Sequence, residues 1–120
     1  MIVVLAAGCG GSATVTAKQL QKQRETIDSV AAEGALLASD IARDRTTGPF
    51  ARVHSEVLSR QADSAVKALR KPAAPGLERE RTQEESRAAA VADAVSRLHA
   101  DPGDRALAER LRSELERLAG

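Results

Sequence analysis

The sequence contains neither tryptophan nor tyrosine, and Phe50 is its only phenylalanine. Single-stranded nucleic acids, sugar rings and flat cofactors usually rest on aromatic side chains, so these ligand classes are not expected. The 18 basic and 17 acidic side chains leave a formal net charge of +1, which gives no general attraction for nucleic acid. Cys9 is the only cysteine, so no disulfide is expected within the chain.

Alanine, leucine and arginine are abundant: the 120 residues include 24 alanines, 12 leucines and 14 arginines, against only 4 lysines. Alanine, leucine and arginine are all strong helix formers. The length suits one domain. The composition therefore predicts a single, largely helical domain.

The N-terminus carries the most specific motif of the chain. Residues 1–7 form an apolar run, Gly8 and Cys9 follow, and residues 10–14 are small and flexible. The segment Leu-Ala-Ala-Gly-Cys at residues 5–9 resembles the lipobox that ends the signal peptide of a bacterial lipoprotein. A transmembrane helix is excluded for this run, because crossing a bilayer takes about 20 apolar residues.

The resemblance implies cleavage between Gly8 and Cys9, with a diacylglycerol on the sulfur of Cys9 and the protein anchored outside the cytoplasm. No Lys or Arg precedes Cys9, whereas signal peptides begin with a basic region and run for about 15–30 residues. We therefore expect translation to start upstream of Met1. The alternative is a short apolar strand or helix cap in which Cys9 is an ordinary buried thiol.

Four segments with helical periodicity follow, at about residues 17–45, 49–70, 77–100 and 102–118. In each segment apolar residues recur at three- and four-residue steps, which predicts one buried row per helix. The predicted rows are Leu20, Ile27, Val30, Gly34, Leu37 and Ile41; Phe50, Val53, His54, Val57, Leu58, Ala62, Ala65 and Leu69; Ala88, Val91, Ala92, Val95 and Leu98; and Leu107, Leu111, Leu115 and Leu118.

Capping signals mark the starts of three segments. Thr16 and Gln19 are spaced as a capping box, Thr47 is the predicted N-cap of the second helix, and Asp101 that of the fourth. Gly34 lies on the row of the first helix, where a missing side chain lets two helices approach closely.

Short links between four helices favour antiparallel neighbours, so the sequence predicts an all-α, up-down four-helix bundle. The alternative is a three-helix bundle or a long helical hairpin with a loosely packed fourth helix. Residues 1–8 are then the remnant of a signal peptide, 9–16 the lipidated cysteine with a flexible tether, and 17–120 a single helical domain. The polar residues 18–24 are expected to form a stalk, and the polar start of the third helix to project or lie exposed.

The predicted topology brings both histidines to the end of the bundle away from the lipid. We expect Phe50 to plug that end of the core, His54 to pair with a nearby carbonyl or carboxylate group, and His99 to be stabilised by the dipole at the end of the third helix. A metal-binding or proton-responsive site of His54, His99 and a carboxylate is the alternative. The candidate distal surface consists of Arg43, Arg45, Phe50, Arg52, His54 and His99.

The second helix has an excess of basic residues. Lys67, Arg70 and Lys71 at its end face the membrane in the predicted topology. They either contact anionic headgroups or simply complement the negative end of the helix dipole.

No motif for catalysis is present. The chain lacks Gly-x-Ser-x-Gly, glycine-rich nucleotide loops, His-Glu-x-x-His and Cys-x-x-Cys. Neither histidine belongs to the Glu-x-x-His motif of di-metal bundles, because positions 51 and 96 are Ala and Ser. We predict no enzymatic activity, no catalytic residue, no cofactor and no metal.

The sequence therefore predicts a small, lipid-anchored, extracytoplasmic protein of the cell envelope that acts as a non-enzymatic structural or protein-binding module. Its expected partners are the membrane, through the lipid on Cys9, and a protein or a second copy, through helical faces; nucleic acid is not expected. One alternative is an extracytoplasmic sensor or ligand-binding or metal-binding bundle that uses Phe50, His54 and His99. The other is a cytosolic helical adaptor.

Overall fold

The computed structural model describes residues 14–120, which form four helices. These are α1 (Ala17–Ala42), α2 (Gly48–Leu69), α3 (Glu78–Ala100) and α4 (Arg105–Leu118). They pack as an all-α, antiparallel four-helix bundle, which confirms the predicted fold. We call the end with the α2–α3 link the proximal end, and the end with the α1–α2 and α3–α4 links the distal end.

The four helices form two closely packed pairs. α2 packs most extensively on α3, and α4 packs most extensively on α1. α1 and α3 also contact each other across the bundle, whereas α2 and α4 do not touch. The fourth helix is thus an integral part of the core, unlike the loosely packed helix of the alternative prediction.

The core is built from aliphatic side chains, many of them alanine. The predicted row of α1 is buried throughout, from Leu20 to Ile41. A Cβ atom at Gly34 would lie 3.1 Å from Cγ1 of Val95 and 3.2 Å from Cδ1 of Leu115. The glycine therefore allows α1 to approach α3 and α4 closely, as predicted.

Two predicted N-caps are confirmed. The hydroxyl of Thr16 accepts a hydrogen bond from the Gln19 N–H over 3.2 Å, and Oε1 of Gln19 accepts one from the Thr16 N–H over 3.0 Å. The hydroxyl of Thr47 accepts from the Phe50 N–H over 3.2 Å. These bonds satisfy amide groups that have no partner within the first turn of a helix.

The N-cap of α4 is Asp104, three residues beyond the predicted Asp101. Oδ1 of Asp104 accepts from the Leu107 N–H over 2.9 Å. Residues 101–104 instead form a turn, in which the Asp104 N–H donates to the Asp101 carbonyl over 3.3 Å. Proline is common at the first helical position, so Asp101 before Pro102 fits the pattern of an N-cap as well as Asp104 does, and the sequence alone did not distinguish between them.

α1 ends at Ala42, three residues before the predicted end. Asp44 adopts a left-handed conformation, with φ of 57°. The Arg45 N–H donates to the Asp40 carbonyl over 2.7 Å, and the Asp44 N–H donates to the Ile41 carbonyl over 3.1 Å. This pair of bonds is a Schellman motif, which terminates the helix. Glycine is the usual residue at this position, so the aspartate did not indicate from the sequence that α1 ends here.

The chain enters α1 packed against the bundle, so the predicted stalk is wrong. Val15 is 2% exposed, and its N–H donates to the Pro72 carbonyl over 2.8 Å. Its own carbonyl accepts from the Ala74 N–H over 2.9 Å. Leu20 is buried as well. Val15 and Leu20 are thus packed at the proximal end, so Val15 does not belong to the flexible tether predicted for residues 9–16.

The polar first turns of α3 also belong to the packed structure. The side chain of Arg81 is only 12% exposed, and that of Arg87 is 20% exposed. Arg81 donates to the Leu69 carbonyl and Arg87 to the Leu118 carbonyl, each over 2.7 Å. The two arginines cap the C-terminal turns of α2 and α4. Residues 78–80 and 82–83 are exposed as expected, so the expectation is wrong only for the side chains that point back onto the bundle.

Candidate functional site

The residues of the predicted distal surface do gather around the distal end. Arg43 and Arg45 are exposed at the end of α1, and Arg52 is exposed on the first turns of α2. An ion pair of 3.1 Å between Arg105 and Asp44 joins the start of α4 to the α1–α2 link. Arg43, Arg45 and Arg52 therefore surround the distal end with exposed positive charges.

His99 is held against the backbone of α2. Its Nδ1 atom lies 3.1 Å from the Arg52 carbonyl oxygen and 3.2 Å from the Ser55 hydroxyl oxygen. That hydroxyl lies 3.1 Å from the same carbonyl. A carbonyl oxygen only accepts, so the group is fully satisfied when both Nδ1–H and the hydroxyl donate to it. His99 thus contacts the Arg52 carbonyl, a partner that the sequence did not predict, and joins α3 to α2.

His54 lies between α2 and α1. Its Nε2 atom is 3.8 Å from Oε1 of Glu33. Its ring meets the ring of Phe50 edge to face, with centroids 5.5 Å apart and an interplanar angle of 64°. Nδ1 is buried without a hydrogen-bond partner. The carboxylate expected beside this histidine is therefore Glu33, a residue that the sequence did not single out.

The two histidines reach different neighbours. His54 contacts Glu33 and Phe50, whereas His99 contacts the α2 backbone and Ser55. Within residues 14–120, no group of three His, Cys, Asp or Glu side chains is placed to hold a metal ion. The geometry of the distal end accordingly gives the metal-binding alternative no support.

Phe50 is 57% exposed and does not plug the bundle, which corrects the prediction. Val53 and Val57, also predicted to be buried, are 62% and 43% exposed. The three residues are spaced three and four apart, so their side chains form one row along α2. We call Phe50, Val53 and Val57 the distal stripe.

The buried row of α2 agrees with the predicted row in its second half and differs in its first. Leu58, Ala62, Ala65 and Leu69 are buried as predicted, whereas Ala51 and Ser55 are buried where the sequence favoured Phe50, Val53 and Val57. Small side chains at these two positions let the start of α2 lie close to its neighbours. The buried row is Ala51, Ser55, Leu58, Ala62, Ala65, Val66 and Leu69.

The distal stripe borders a groove between α1 and α2. The groove has a volume of about 610 Å³, with Val30 and Ala65 in its lining. Glu33 also lines it, so the groove and the distal stripe meet at the contact between Glu33 and His54. Further along, the lining carries hydroxyl and amide groups, from Thr26, Ser29, Gln61 and Ser64. A long surface with an apolar end and a polar flank fits a helix laid along it.

A second groove of about 420 Å³ lies between α1 and α4. Leu36, 65% exposed, lines it together with Arg43 and Arg112. Hydrogen bonds from Arg112 to Glu109 and Glu116 raise the pKa of Arg112, so this cation is already paired within α4. The second groove offers one exposed leucine, whereas the distal stripe offers three apolar side chains in a row.

Sequence reasoning missed Glu33, Ser55 and the outward direction of the distal stripe. One signal for that direction was present, because Ala51, Ala62 and Ala65 lie on one face of α2. Glu33 had no signal of its own, since its role depends on the way α1 and α2 align.

The assignment of a role rests on the residues of this chain. Gly8 and Cys9, the predicted cleavage and lipidation sites, lie outside the described residues. In the described part of the chain, none of the helices has both the length and the apolar character needed to cross a membrane. The chain matches no protein-family model, and no curated protein or solved structure is similar to it.

Proposed function

We propose that the protein is a lipid-anchored, non-enzymatic protein-binding module of the bacterial cell envelope, which binds its partner through the distal stripe. The observation that carries this proposal is the exposure of Phe50, Val53 and Val57 on one face of α2. Cys9 precedes the proximal end, and the stripe lies towards the distal end. The lipid therefore holds one end of the bundle and the partner binds near the other.

The distal stripe supports a binding role because folding does not use it. Fully burying a valine or phenylalanine side chain is worth about 1.5–3 kcal/mol, and folding leaves part of this gain unused at each residue of the stripe. Single exposed apolar residues are ordinary, but a contiguous row is typical of an interaction surface. The core of α2 is complete on its other face, around Leu58 and Leu69.

The partner that suits this surface is an amphipathic helix of another protein. Its apolar face would cover the distal stripe, and its polar flank would pair with Glu33, Gln61 and Ser64 along the groove. Helices bind grooves in this way through anchors that repeat every three or four residues. The carboxylate of Glu33 favours a basic or hydrogen-bond-donating group on that flank.

Metabolic labelling with a palmitate analogue tests the anchoring. The protein, expressed from its natural gene with the upstream DNA, should become labelled, and the Cys9→Ala variant should not. A protein that stays unlabelled, or label that survives Cys9→Ala, would overturn the anchoring.

Sedimentation of the full chain carrying Cys9→Ser separates a foreign partner from a second copy. We expect a monomer at micromolar concentration, because in our proposal the stripe binds a different protein and not a second copy of this chain. A dimer that the Val53→Asp substitution abolishes would assign the stripe to self-association and contradict the proposed partner.

A further inference from the structure

All four lysines of the chain lie at the proximal end. Lys18 and Lys22 are in the first two turns of α1, Lys67 is in the last turn of α2, and Lys71 is the second residue after α2. All four side chains are exposed. No lysine takes part in any ion pair among the described residues. We call these residues the proximal lysines.

The two helices bring their lysines together. Lys22 and Lys71 line one small pocket of about 140 Å³, together with Val15. Lys18 and Lys22 are four apart on α1, so their side chains lie on the same face. Like charges at this spacing destabilise a helix, so the fold gains nothing from collecting them here.

The helix dipole explains one of these lysines only. Lys67 is in the last turn of α2, where a cation is favourable. Lys18 is in the first turn of α1, where a cation is unfavourable, and that turn contains no acidic residue. Lys22 is in the second turn, where the dipole has little effect. The dipole therefore does not account for the group as a whole.

The nearby carboxylates of α3 have partners of their own. Glu78 and Glu85 are bound by Arg81 over 2.8 and 2.9 Å. Glu25 and Asp63 stand three and four residues from Lys22 and Lys67 on the same helices, but within residues 14–120 no carboxylate forms an ion pair with a lysine. The positive charge of the proximal lysines therefore remains available to an anionic surface.

The chain itself places the lipid beside this charge. Only residues 10–14 separate Cys9 from Val15, a stretch that spans at most about 22 Å when fully extended. We propose that the proximal lysines bind the anionic phospholipid headgroups of the membrane and so form a second attachment beside the lipid. A polybasic patch strengthens lipid anchoring in this way. The inference rests on the proposed function for the position of the membrane.

Vesicle sedimentation tests the proposal on the full, unlipidated chain with Cys9→Ser. We expect tighter binding to vesicles of phosphatidylcholine mixed with phosphatidylglycerol than to phosphatidylcholine alone, and a decrease with added salt. Each lysine near an anionic surface is worth about fivefold in binding. Adding Lys22→Gln and Lys71→Gln should therefore weaken binding to the mixed vesicles about 25-fold.

Arg43→Gln with Arg45→Gln is the matched control, because it removes two exposed cations from the distal end. This pair should leave vesicle binding unchanged, and circular dichroism should show the same helix content in all variants. The proposal would be overturned if the chain bound both kinds of vesicle equally. It would also be overturned if replacing Lys22 and Lys71 left the affinity unchanged, or if the arginine pair lost as much affinity as the lysine pair. Residues 1–8 are identical in every variant, so differences between variants report the charges alone.

Failure of this inference is distinguishable from failure of the proposed function. A chain that is labelled on Cys9 but does not bind anionic vesicles supports the lipid anchor and contradicts the proposed role of the proximal lysines. A chain that binds anionic vesicles through the lysines but is never labelled supports the lysine surface and contradicts the anchor.

Discussion

Nη1 of Arg87, on α3, donates a hydrogen bond over 2.7 Å to the carbonyl of Leu118, the last residue of α4. The same guanidinium binds Asp28 of α1 over 2.6 Å and Glu84 over 2.8 Å. Burial lowers the pKa of Arg87, but the hydrogen bonds to Asp28 and Glu84 outweigh burial and raise it. One side chain thus joins three helices and satisfies a C-terminal carbonyl.

Replacing Arg87 with Ala is expected to lower the free energy of unfolding by about 2 kcal/mol, because charged hydrogen bonds of this kind contribute about 1.5–3 kcal/mol. Urea unfolding at neutral pH measures the change. Arg110→Ala is the control, since Arg110 is exposed and forms no ion pair within residues 14–120; it should cost less than about 0.5 kcal/mol. Equal effects of the two substitutions would show that the connection contributes nothing.

The distal stripe should tolerate polar residues. Val53→Asp is expected to change the free energy of unfolding by less than about 0.5 kcal/mol, because Val53 is exposed. Leu58→Ala, on the buried row of the same helix, should lower it by about 2–5 kcal/mol. Urea unfolding of both variants makes the comparison. A loss at Val53 as large as that at Leu58 would place the stripe in the core.

Asp44→Gly is expected to stabilise the protein by about 1 kcal/mol, which raises the melting temperature by a few degrees. The left-handed conformation of Asp44 costs a residue with a side chain about 1–2 kcal/mol, and glycine adopts it freely. Asp44→Gly also removes the ion pair with Arg105, but both side chains of this pair are exposed, so it contributes little to stability. Thermal melts of Asp44→Gly and the control Arg105→Ala test this, and a lower melting temperature for Asp44→Gly contradicts it.

Two exposed carboxylates give the stability a dependence on acid. The hydrogen bond with Arg81 lowers the pKa of Glu78, and that with Arg112 lowers the pKa of Glu109, both from an ordinary value of 4.5. A carboxyl group whose pKa is lower when folded stabilises the protein above its unfolded pKa, and this stability is lost as the pH falls through the folded pKa.

The melting temperature should therefore fall as the pH drops below about 4.5, and the decline should be shallower in the Glu78→Gln, Glu109→Gln variant. Thermal melts between about pH 3 and pH 7, a range that includes the ordinary pKa of a glutamate carboxyl group, measure both slopes. Glu114→Gln is a suitable control for the loss of one carboxylate. Identical acid slopes in the wild type and the double variant would contradict this prediction.

The sequence predicted α1 and α4 well because each has a single apolar row. It misjudged the first half of α2, because Ala51 and Ser55 are buried there in place of the larger Phe50, Val53 and Val57, and this choice depends on how closely the neighbouring helices approach. The distal stripe is therefore a consequence of packing: alanine at positions 51, 62 and 65 makes the small face the better one to bury.

The misjudged polar segments have a similar explanation. The arginines at 81 and 87 look like residues of a solvated face, since acidic neighbours surround them in sequence. Their partners include the carbonyls at 69 and 118, which become available only when helices end beside them. Ion pairs along one helix are readable from spacing, whereas a side chain that caps another helix depends on the tertiary structure.

The central claim, that the distal stripe binds a partner protein, is tested most directly by photo-crosslinking in the cells that naturally make the protein. A benzophenone amino acid replaces Val53 in one strain and Ser96, exposed on α3, in another. The account predicts a discrete adduct from position 53 that Val57→Asp removes, identified by mass spectrometry as a different protein with an amphipathic helix, and none from position 96. An absent adduct at position 53, or the same adducts from both positions, would contradict it.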